Sequence, residues 1–438
     1  MSSLLLDWFA PCPRGLEAPL AAELDEIGDR HIDGAPVPGG GSLSVGAQVP
    51  GGVHFRGRWL AGMAANLHSR IASRVLLKIA HGPYRNENDI YELTHRQRWE
   101  QWFTPNQTMR VNLTAIKSPV KSLEFTTLRV KDAVCDRLRE VAGARPSIDT
   151  AQPDVRVFAF LTVNECTLYL DTSGEPLFKR GWRLDKGAAP LRENLAAGIL
   201  RLTGWTPGTP LFDPMCSSGT FLAEAAQAAL SIAPGSERRF GFEKLKPFQP
   251  MTWQKLREAA FDARNAAFAA QRDLNIFGGD ISGDMLEKAR VNLNRAGIPR
   301  LMLKQVDARN MVSPTDTPGI LIANPPYGER IEVRGRGPRG EIRDTGRFCR
   351  EDEEAFARAQ PDLADTEFFV SFGNALKQRF LSWRAYVLTS DRKLPGLMRL
   401  RESTKTPLFN GALECRLFRF DLIAGSVRNR PAGEPTGE

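Results

Sequence analysis

Apolar residues recur three and four apart over Trp59–Leu77, which predicts a helix there, and a second helix is expected at Gly15–Ile27. A Gly/Pro-rich turn region, Gly34–Gly52, separates them. Beyond residue 81 the pattern mixes. Met109–Ile116 alternates apolar and polar like a strand, Thr127–Val141 reads as a basic helix, and Val155–Val163 and Thr167–Thr172 read as two strands joined at Asn164-Glu165. From residue 185 short apolar runs alternate with longer segments of helical period. The expected strands are Pro210–Asp213, Asn275–Asp280, Leu301–Val306, Gly319–Ala323 and Arg384–Thr389. The expected helices are Leu191–Thr203, Thr220–Leu230, Trp253–Ala270, Gly283–Ala296 and Asp365–Phe380. Such alternation predicts an α/β domain with a doubly wound, mostly parallel sheet. Leu413–Leu422 alternates as a C-terminal antiparallel hairpin. The pattern thus divides the chain into α+β segments at 1–80 and 81–175, an α/β domain at 185–425, and a polar tail at 426–438 expected to be disordered. Arg330–Pro361 is long, polar and rich in Gly and Arg, and reads as a loop.

Bulk properties narrow the class. At roughly 150 residues per domain, the length of 438 residues fits three units. A formal net charge of +8 favours a polyanionic partner, because Lys and Arg neutralise phosphates. The six cysteines are scattered, with no C-x-x-C pair, which argues against a metal site or a disulfide framework and for a reducing compartment. Asp7 interrupts the N-terminal apolar run and no basic leader precedes it, so a signal peptide is not expected. No run of about 18 apolar residues marks a membrane span. The expected setting is the cytoplasm.

Candidate chemistry begins at Leu211-Phe-Asp213-Pro214-Met-Cys216-Ser-Ser218-Gly219-Thr220. A strand ends at a carboxylate, small residues follow, and a helix opens. Small residues let backbone approach a ligand, and a helix N-terminus offers free N–H groups to an anion. The loop has neither G-x-x-x-x-G-K-S/T nor G-x-G-x-x-G, which argues against a nucleoside triphosphate or a dinucleotide. Asp280 ends the next strand, where a carboxylate can accept from both ribose hydroxyls, and Asp307 follows the one after, where it can accept from an adenine amine. Each alone is more often a helix cap. In succession they describe a pocket for an adenosine with a charged amino-acid tail. Cys216 is read within this loop as packing.

The second motif is Asn324-Pro325-Pro326-Tyr327, at the end of the fourth strand. The prolines stiffen the backbone and stop a helix from starting. The Asn324 side chain and the Pro325 carbonyl are two oxygen acceptors, matching the two hydrogens of an –NH₂ group. Acceptors aimed there localise the nitrogen lone pair and stabilise charge as it attacks. Tyr327 can stack on the base.

This order of motifs resembles the class I S-adenosylmethionine-dependent methyltransferases. Further segments narrow the likeness: Cys12-Pro-Arg-Gly15-Leu-Glu17, Gly51-Gly52-Val-His-Phe55, Ser73-Arg74, Val130-Lys131-Asp132, Pro153-Asp-Val-Arg156, Asp171-Thr-Ser-Gly174-Glu175 and Arg180-Gly181-Trp-Arg183. They are similar to the THUMP-containing RNA guanine-N2 methyltransferases, the large-subunit (23S) rRNA enzymes above all. The resemblance implies a ferredoxin-like domain, an RNA-binding THUMP domain and a Rossmann-like catalytic domain, in that order. It implies S-adenosyl-L-methionine as cofactor, RNA as partner, and no metal. By position, Asp213, Pro214, Cys216, Ser218, Gly219, Thr220, Asp280 and Asp307 would line the cofactor site, with Glu193 and Asn194 bordering its methionine end. Asn324, Pro325, Pro326 and Tyr327 would form the catalytic loop. One departure is Ser217, where the family usually carries Gly; if the position needs positive φ, a side chain costs about 1 kcal/mol.

Arg129, Lys131 and Arg137 on the basic helix, and Arg334, Arg336 and Arg339 near the catalytic loop, are candidate RNA contacts. A solvated helix face and a plain insert are the alternatives. The residues leave open the RNA (rRNA, a ribosome precursor or tRNA) and the acceptor, which can be guanine N2, adenine N6 or a protein glutamine. A non-catalytic RNA-binding assembly factor is the reading from another class.

Overall fold

A computed structural model of the chain describes residues 4–33, 43–183, 191–270, 273–298, 300–325, 363–411 and 413–423. The expected loop at 330–361 and the tail at 426–438 lie outside them.

The N-terminal half contains β1 (Leu6–Pro11), α1 (Glu17–Gly28), β2 (Ser44–Val49), β3 (Gly52–Gly57), α2 (Trp59–His68), β4 (Leu76–Pro83), α3 (Glu87–His95), β5 (Met109–Ala115), α4 (Leu123–Ala142), β6 (Val155–Leu161) and β7 (Glu165–Asp171). α1 runs on into a wide π turn, Asp29–Asp33. The strands form one sheet in the order β2-β3-β1-β4-β7-β6-β5. β4 pairs antiparallel with β1 on one side and β7 on the other. The expected division near residue 80 therefore falls inside a strand, and the two α+β segments share a sheet.

The helix expected at Trp59–Leu77 ends at His68. A buried carboxylate explains why. Glu23 accepts from Ser69 Oγ (2.6 Å), Arg70 N–H (3.0 Å) and Ile71 N–H (3.2 Å), giving this turn a tertiary acceptor in place of helical carbonyls. Helix α3 was not expected. It is capped by Asn86, whose side chain accepts from Asn88 and Asp89.

The C-terminal half contains α5 (Glu193–Thr203), β8 (Leu211–Asp213), α6 (Thr220–Ala229), α7 (Pro250–Ala269), β9 (Ile276–Asp280), α8 (Gly283–Arg295), β10 (Met302–Gln305), β11 (Ile320–Ala323), α9 (Leu363–Arg379), β12 (Arg384–Thr389), α10 (Leu394–Leu397), β13 (Thr404–Asn410) and β14 (Leu413–Asp421). Strand order is β10-β9-β8-β11-β12-β14-β13. β8 to β12 run parallel and β14 is antiparallel to both of its neighbours. This is the expected doubly wound sheet. β11, Ile-Leu-Ile-Ala, is buried throughout, as an apolar run covered on both faces should be. The C-terminal hairpin is displaced from its expected place: Leu413–Asp421 is one interior strand, and its partner is 404–410. Pro407 hid that partner, since proline is tolerated in sheets chiefly on an edge, which is where β13 lies.

The halves are joined by buried polar groups. Glu224 on α6 accepts from Arg180 Nε (3.1 Å) and Arg70 Nη1 (3.3 Å), and Arg180 also donates to the Arg70 carbonyl (2.6 Å). Asn194 donates to the Ile71 carbonyl and to Ser73 Oγ. One apolar core runs through both halves; a second lies around β11, β12 and α9.

Candidate active site

The chain passes outward from β8 to β9 and β10, then returns to lay β11 on the other side of β8. That reversal opens a crevice at the carboxyl ends of β8 and β11, where open α/β sheets bind ligands. β8 and β11 pair in register, Leu211 with Ile320 and Phe212 with Leu321. One step on, Asp213 is level with Ile322. Asn324 therefore stands two residues higher on the adjacent strand, and neighbouring strands lie about 5 Å apart.

The loop after Asp213 is tightly held. Asp213 accepts from Met215 N–H (3.1 Å) and Cys216 N–H donates to the Gly279 carbonyl (2.8 Å). Ser217 adopts φ +49°, so the departure from Gly does fall in the left-handed region. Its N–H donates to Asp280 Oδ2 (2.8 Å), which anchors the strained residue. Gly219, φ +82°, turns the chain into α6 without a side-chain cap, so the first N–H groups of that helix are left for another acceptor. A Cβ on Gly219 would come within 3.2 Å of Ala289 Cβ on α8.

The carboxylates differ in state. Asp213 is buried; burial pushes its carboxyl well above the usual range, the Met215 N–H pulls it down, and the charge of Asp280 raises it further. Asp280 accepts from Ser217 and Ser282 N–H, one on each oxygen, and each oxygen keeps a lone pair for a hydroxyl. Ile281 beside it is 65% exposed, an apolar face at the rim that the sequence reading passed over. Asp307 caps the turn 308–310 and both its oxygens accept from Arg309, which holds its carboxyl below the usual range. Burial, and then Asp213 and Asp280, push the Cys216 thiol well up, so it stays protonated and packs.

Asn324 Oδ1 is buried and has no hydrogen-bond partner among the described residues. Pro325 beside it is buried; Pro326 and Tyr327 lie outside the described residues. Glu193 and Asn194 open α5. Glu193 pairs with Arg183, Nε to Oε1 3.3 Å. Asn194 is buried, with its amide hydrogens turned to the N-terminal half. Pro214, Ser218 and Thr220 line the loop; the Ser218 carbonyl accepts from Asn292 (3.0 Å), another contact that local sequence did not signal.

The candidate RNA contacts on α4 are engaged elsewhere. The Arg129 guanidinium sits 4.2 Å from the centre of the Tyr91 ring and donates to Asn88. Lys131 pairs with Asp132 (2.8 Å), and Arg137 makes two hydrogen bonds to Glu100. All three remain half-exposed with these partners in place. Arg334, Arg336 and Arg339 lie outside the described residues. No described helix is long and apolar enough to cross a membrane.

An RlmL ferredoxin-like domain matches residues 41–76, a THUMP domain matches 84–171, and an RMKL-like methyltransferase domain matches 180–339. The chain is 33% identical to the Ribosomal RNA large subunit methyltransferase K/L of Aeromonas hydrophila, over 97% of this chain and 55% of that one. It thus spans about half the length of that relative. It is also 33% identical to the Synechocystis protein named "Putative RNA methyltransferase slr0064", over 95% of this chain and 96% of that one. The crystal structure of SMU.472 complexed with SAH shares 25% identity and a TM-score of 0.76, covering 97% of this chain and 99% of that one. A doubly wound domain carrying this crevice, preceded by a THUMP-bearing sheet and matched end to end by slr0064, makes the chain a member of the RMKL-like RNA methyltransferase family.

Proposed function

We propose that this chain transfers a methyl group from S-adenosyl-L-methionine to the exocyclic N2 amine of a guanine in RNA, with large-subunit ribosomal RNA as the substrate and the cytoplasm as the setting. The observation that carries the reading is Asn324: a buried oxygen without a hydrogen-bond partner among the described residues, just past the end of the strand next to β8. A buried acceptor left unpaired is costly. Its natural complement is a donor that arrives with the substrate.

The residues present fit the cofactor. Asp280 offers acceptors to two hydroxyls, the uncapped start of α6 offers N–H groups to a carboxylate, and the Asp213 carboxyl faces a site dry enough to resist ionisation. When bound, the cofactor supplies a methyl group activated by a sulfonium. The chain does the rest. Asn324 Oδ1 and the Pro325 carbonyl each accept one hydrogen of the amine, localising its lone pair. The β8–β11 register fixes the distance between amine and cofactor loop, which supplies the proximity contribution. The base must leave its stack to reach Asn324, so a loop or an incompletely folded helix is the preferred target.

The test is methylation of rRNA and tRNA with labelled cofactor, followed by nucleoside mass spectrometry. Labelled N2-methylguanosine, enriched in large-subunit rRNA, is expected. N6-methyladenosine, or no labelled nucleoside, overturns the assignment; label confined to tRNA overturns the substrate.

A further inference from the structure

Glu17 closes the turn between β1 and α1. Its carboxylate accepts from Gly15 N–H (2.8 Å) and from Gly51 N–H (2.7 Å) in the turn between β2 and β3, so it ties the two turns together. Gly15, at φ +91°, lets the first turn press against β13: a Cβ there would collide with the Pro407 carbonyl oxygen. Between these turns and β13 lies an open hollow of about 370 Å³, lined by Arg14, Glu17, Gln48, Pro50, Pro407 and Phe409 among others. Arg14 is exposed and makes no ion pair among the described residues. Its guanidinium sits 5.0 Å from the centre of the Phe409 ring.

Strand register locates this hollow relative to Asn324. Ala323 is level with Val387, Val387 with Phe418, and Phe418 with Lys405. β13 and β12 are both antiparallel to β14, so β13 runs in the same direction as β11. Phe409 therefore lies beyond Lys405 toward the carboxyl edge of the sheet, the edge at which Asn324 stands. Three strand spacings of about 5 Å and three residues of rise at about 3.3 Å each put Phe409 roughly 15–20 Å from Asn324.

The lining selects a class of ligand. A guanidinium plane and an aromatic ring both stack on nucleobases. Gln48 carries an amide that can donate and accept toward a base edge. The Glu17 carboxylate disfavours a phosphate in the hollow itself.

We propose that this hollow holds an unpaired base of the substrate RNA, a few nucleotides along the strand from the methylated one, stacked against Arg14 and Phe409. The inference rests on the reading that Asn324 receives a base from RNA. It adds a second grip with one wall from each half of the chain, Arg14 from the N-terminal half and Phe409 from the C-terminal half.

Fluorescence anisotropy of the full chain with two single-stranded probes tests it: an oligoadenylate about twelve nucleotides long, and a ribose-phosphate chain of equal length without bases. The oligoadenylate should bind more tightly. Arg14→Lys keeps the charge and removes the planar guanidinium; Phe409→Leu keeps an apolar side chain and removes the ring. Each should weaken the oligoadenylate about fivefold or more, the lower end of the range for one stacked base, and leave the baseless chain within about twofold. Arg14 is exposed, so its variant carries the test if Phe409→Leu fails to fold. Unchanged affinity for the oligoadenylate, equal weakening of both probes, or an unaltered chain that binds the two alike overturns the assignment. Binding is read without cofactor, so failure to form N2-methylguanosine would remove the methyl-transfer reading and leave this result in place.

Discussion

Asn324 concentrates the argument at the scale of single residues. Asn324→Ala removes the acceptor and leaves the loop after β8 untouched. Turnover should fall at least about a hundredfold, the scale for losing one preorganised transition-state contact, while affinity for S-adenosylhomocysteine stays the same. Near-normal turnover in a single-turnover assay would remove Asn324 from the chemistry. Ser217 makes a separate prediction. Its φ of +49° is strained for a side chain, so Ser217→Gly should raise stability by about 1 kcal/mol, read as a higher denaturation midpoint at unchanged slope. A lower midpoint would mean that the hydroxyl contributes more than the strain costs. Much at this scale was legible in the sequence. Asp213, Asp280 and Asn324 announce themselves because each follows an apolar strand and opens a loop of small or rigid residues. Arg183 and Asn292 do not, because what matters about them is a partner far away in the chain. The pairing of Asp307 with Arg309 escaped for a different reason: it depends on a turn that brings residues two apart face to face.

At the scale of elements, periodicity served well where an element is amphipathic or wholly buried. β12 spans its expected limits, and α5, α6, α8 and β11 lie within a residue or two of theirs. It failed where a tertiary partner decides. The end of α2 is set by Glu23, on another helix, and β13 is hidden by a proline that only its edge position permits. Glu224 shows how strongly such partners can act. It is buried on α6 between Arg70 and Arg180. Glu224→Gln would strand buried guanidinium charge and should cost about 3–5 kcal/mol, seen as a large drop in the urea midpoint. A loss below about 1 kcal/mol would show that water reaches the cluster.

The end of α2 and the turn after α1 carry a pH dependence. His31 and His68 stack with ring centres 3.6 Å apart. Burial lowers both imidazoles; Arg30 lowers His31 further, to about 4, and His31 and Arg70 add to the effect on His68. A folded value below the unfolded one means that the unfolded chain binds protons first. This stability is complete above pH 6.5 and is lost as the pH falls from there toward about 4. His31→Gln should flatten that part of a stability–pH curve. An unchanged slope between pH 6.5 and 4.5 would exclude the pair as its source.

At the scale of the whole molecule, composition gave the class and the motif order gave the catalytic half, but the joining of the halves could not be read. No periodicity reveals that β4 belongs to two α+β segments at once. Nor does it reveal that one apolar core crosses from one half to the other. Continuity of sheet and core predicts shared unfolding: scanning calorimetry should show the N-terminal half melting together with the β8–β9 region, with no separate early transition for the 84–171 segment. A chain begun at residue 81 would cut through β4 and uncover most of one edge of β7, so it should be recovered largely as aggregate.

The Arg70–Glu224–Arg180 knot also bears on how a substrate could be chosen. Swinging one half away from the other would tear two guanidinium groups from the buried carboxylate they share, so the joint behaves as a weld and not as a hinge. A strand gripped by the N-terminal half would therefore meet Asn324 at one set span, and the nucleotide modified would be picked out by measured length as much as by its letter.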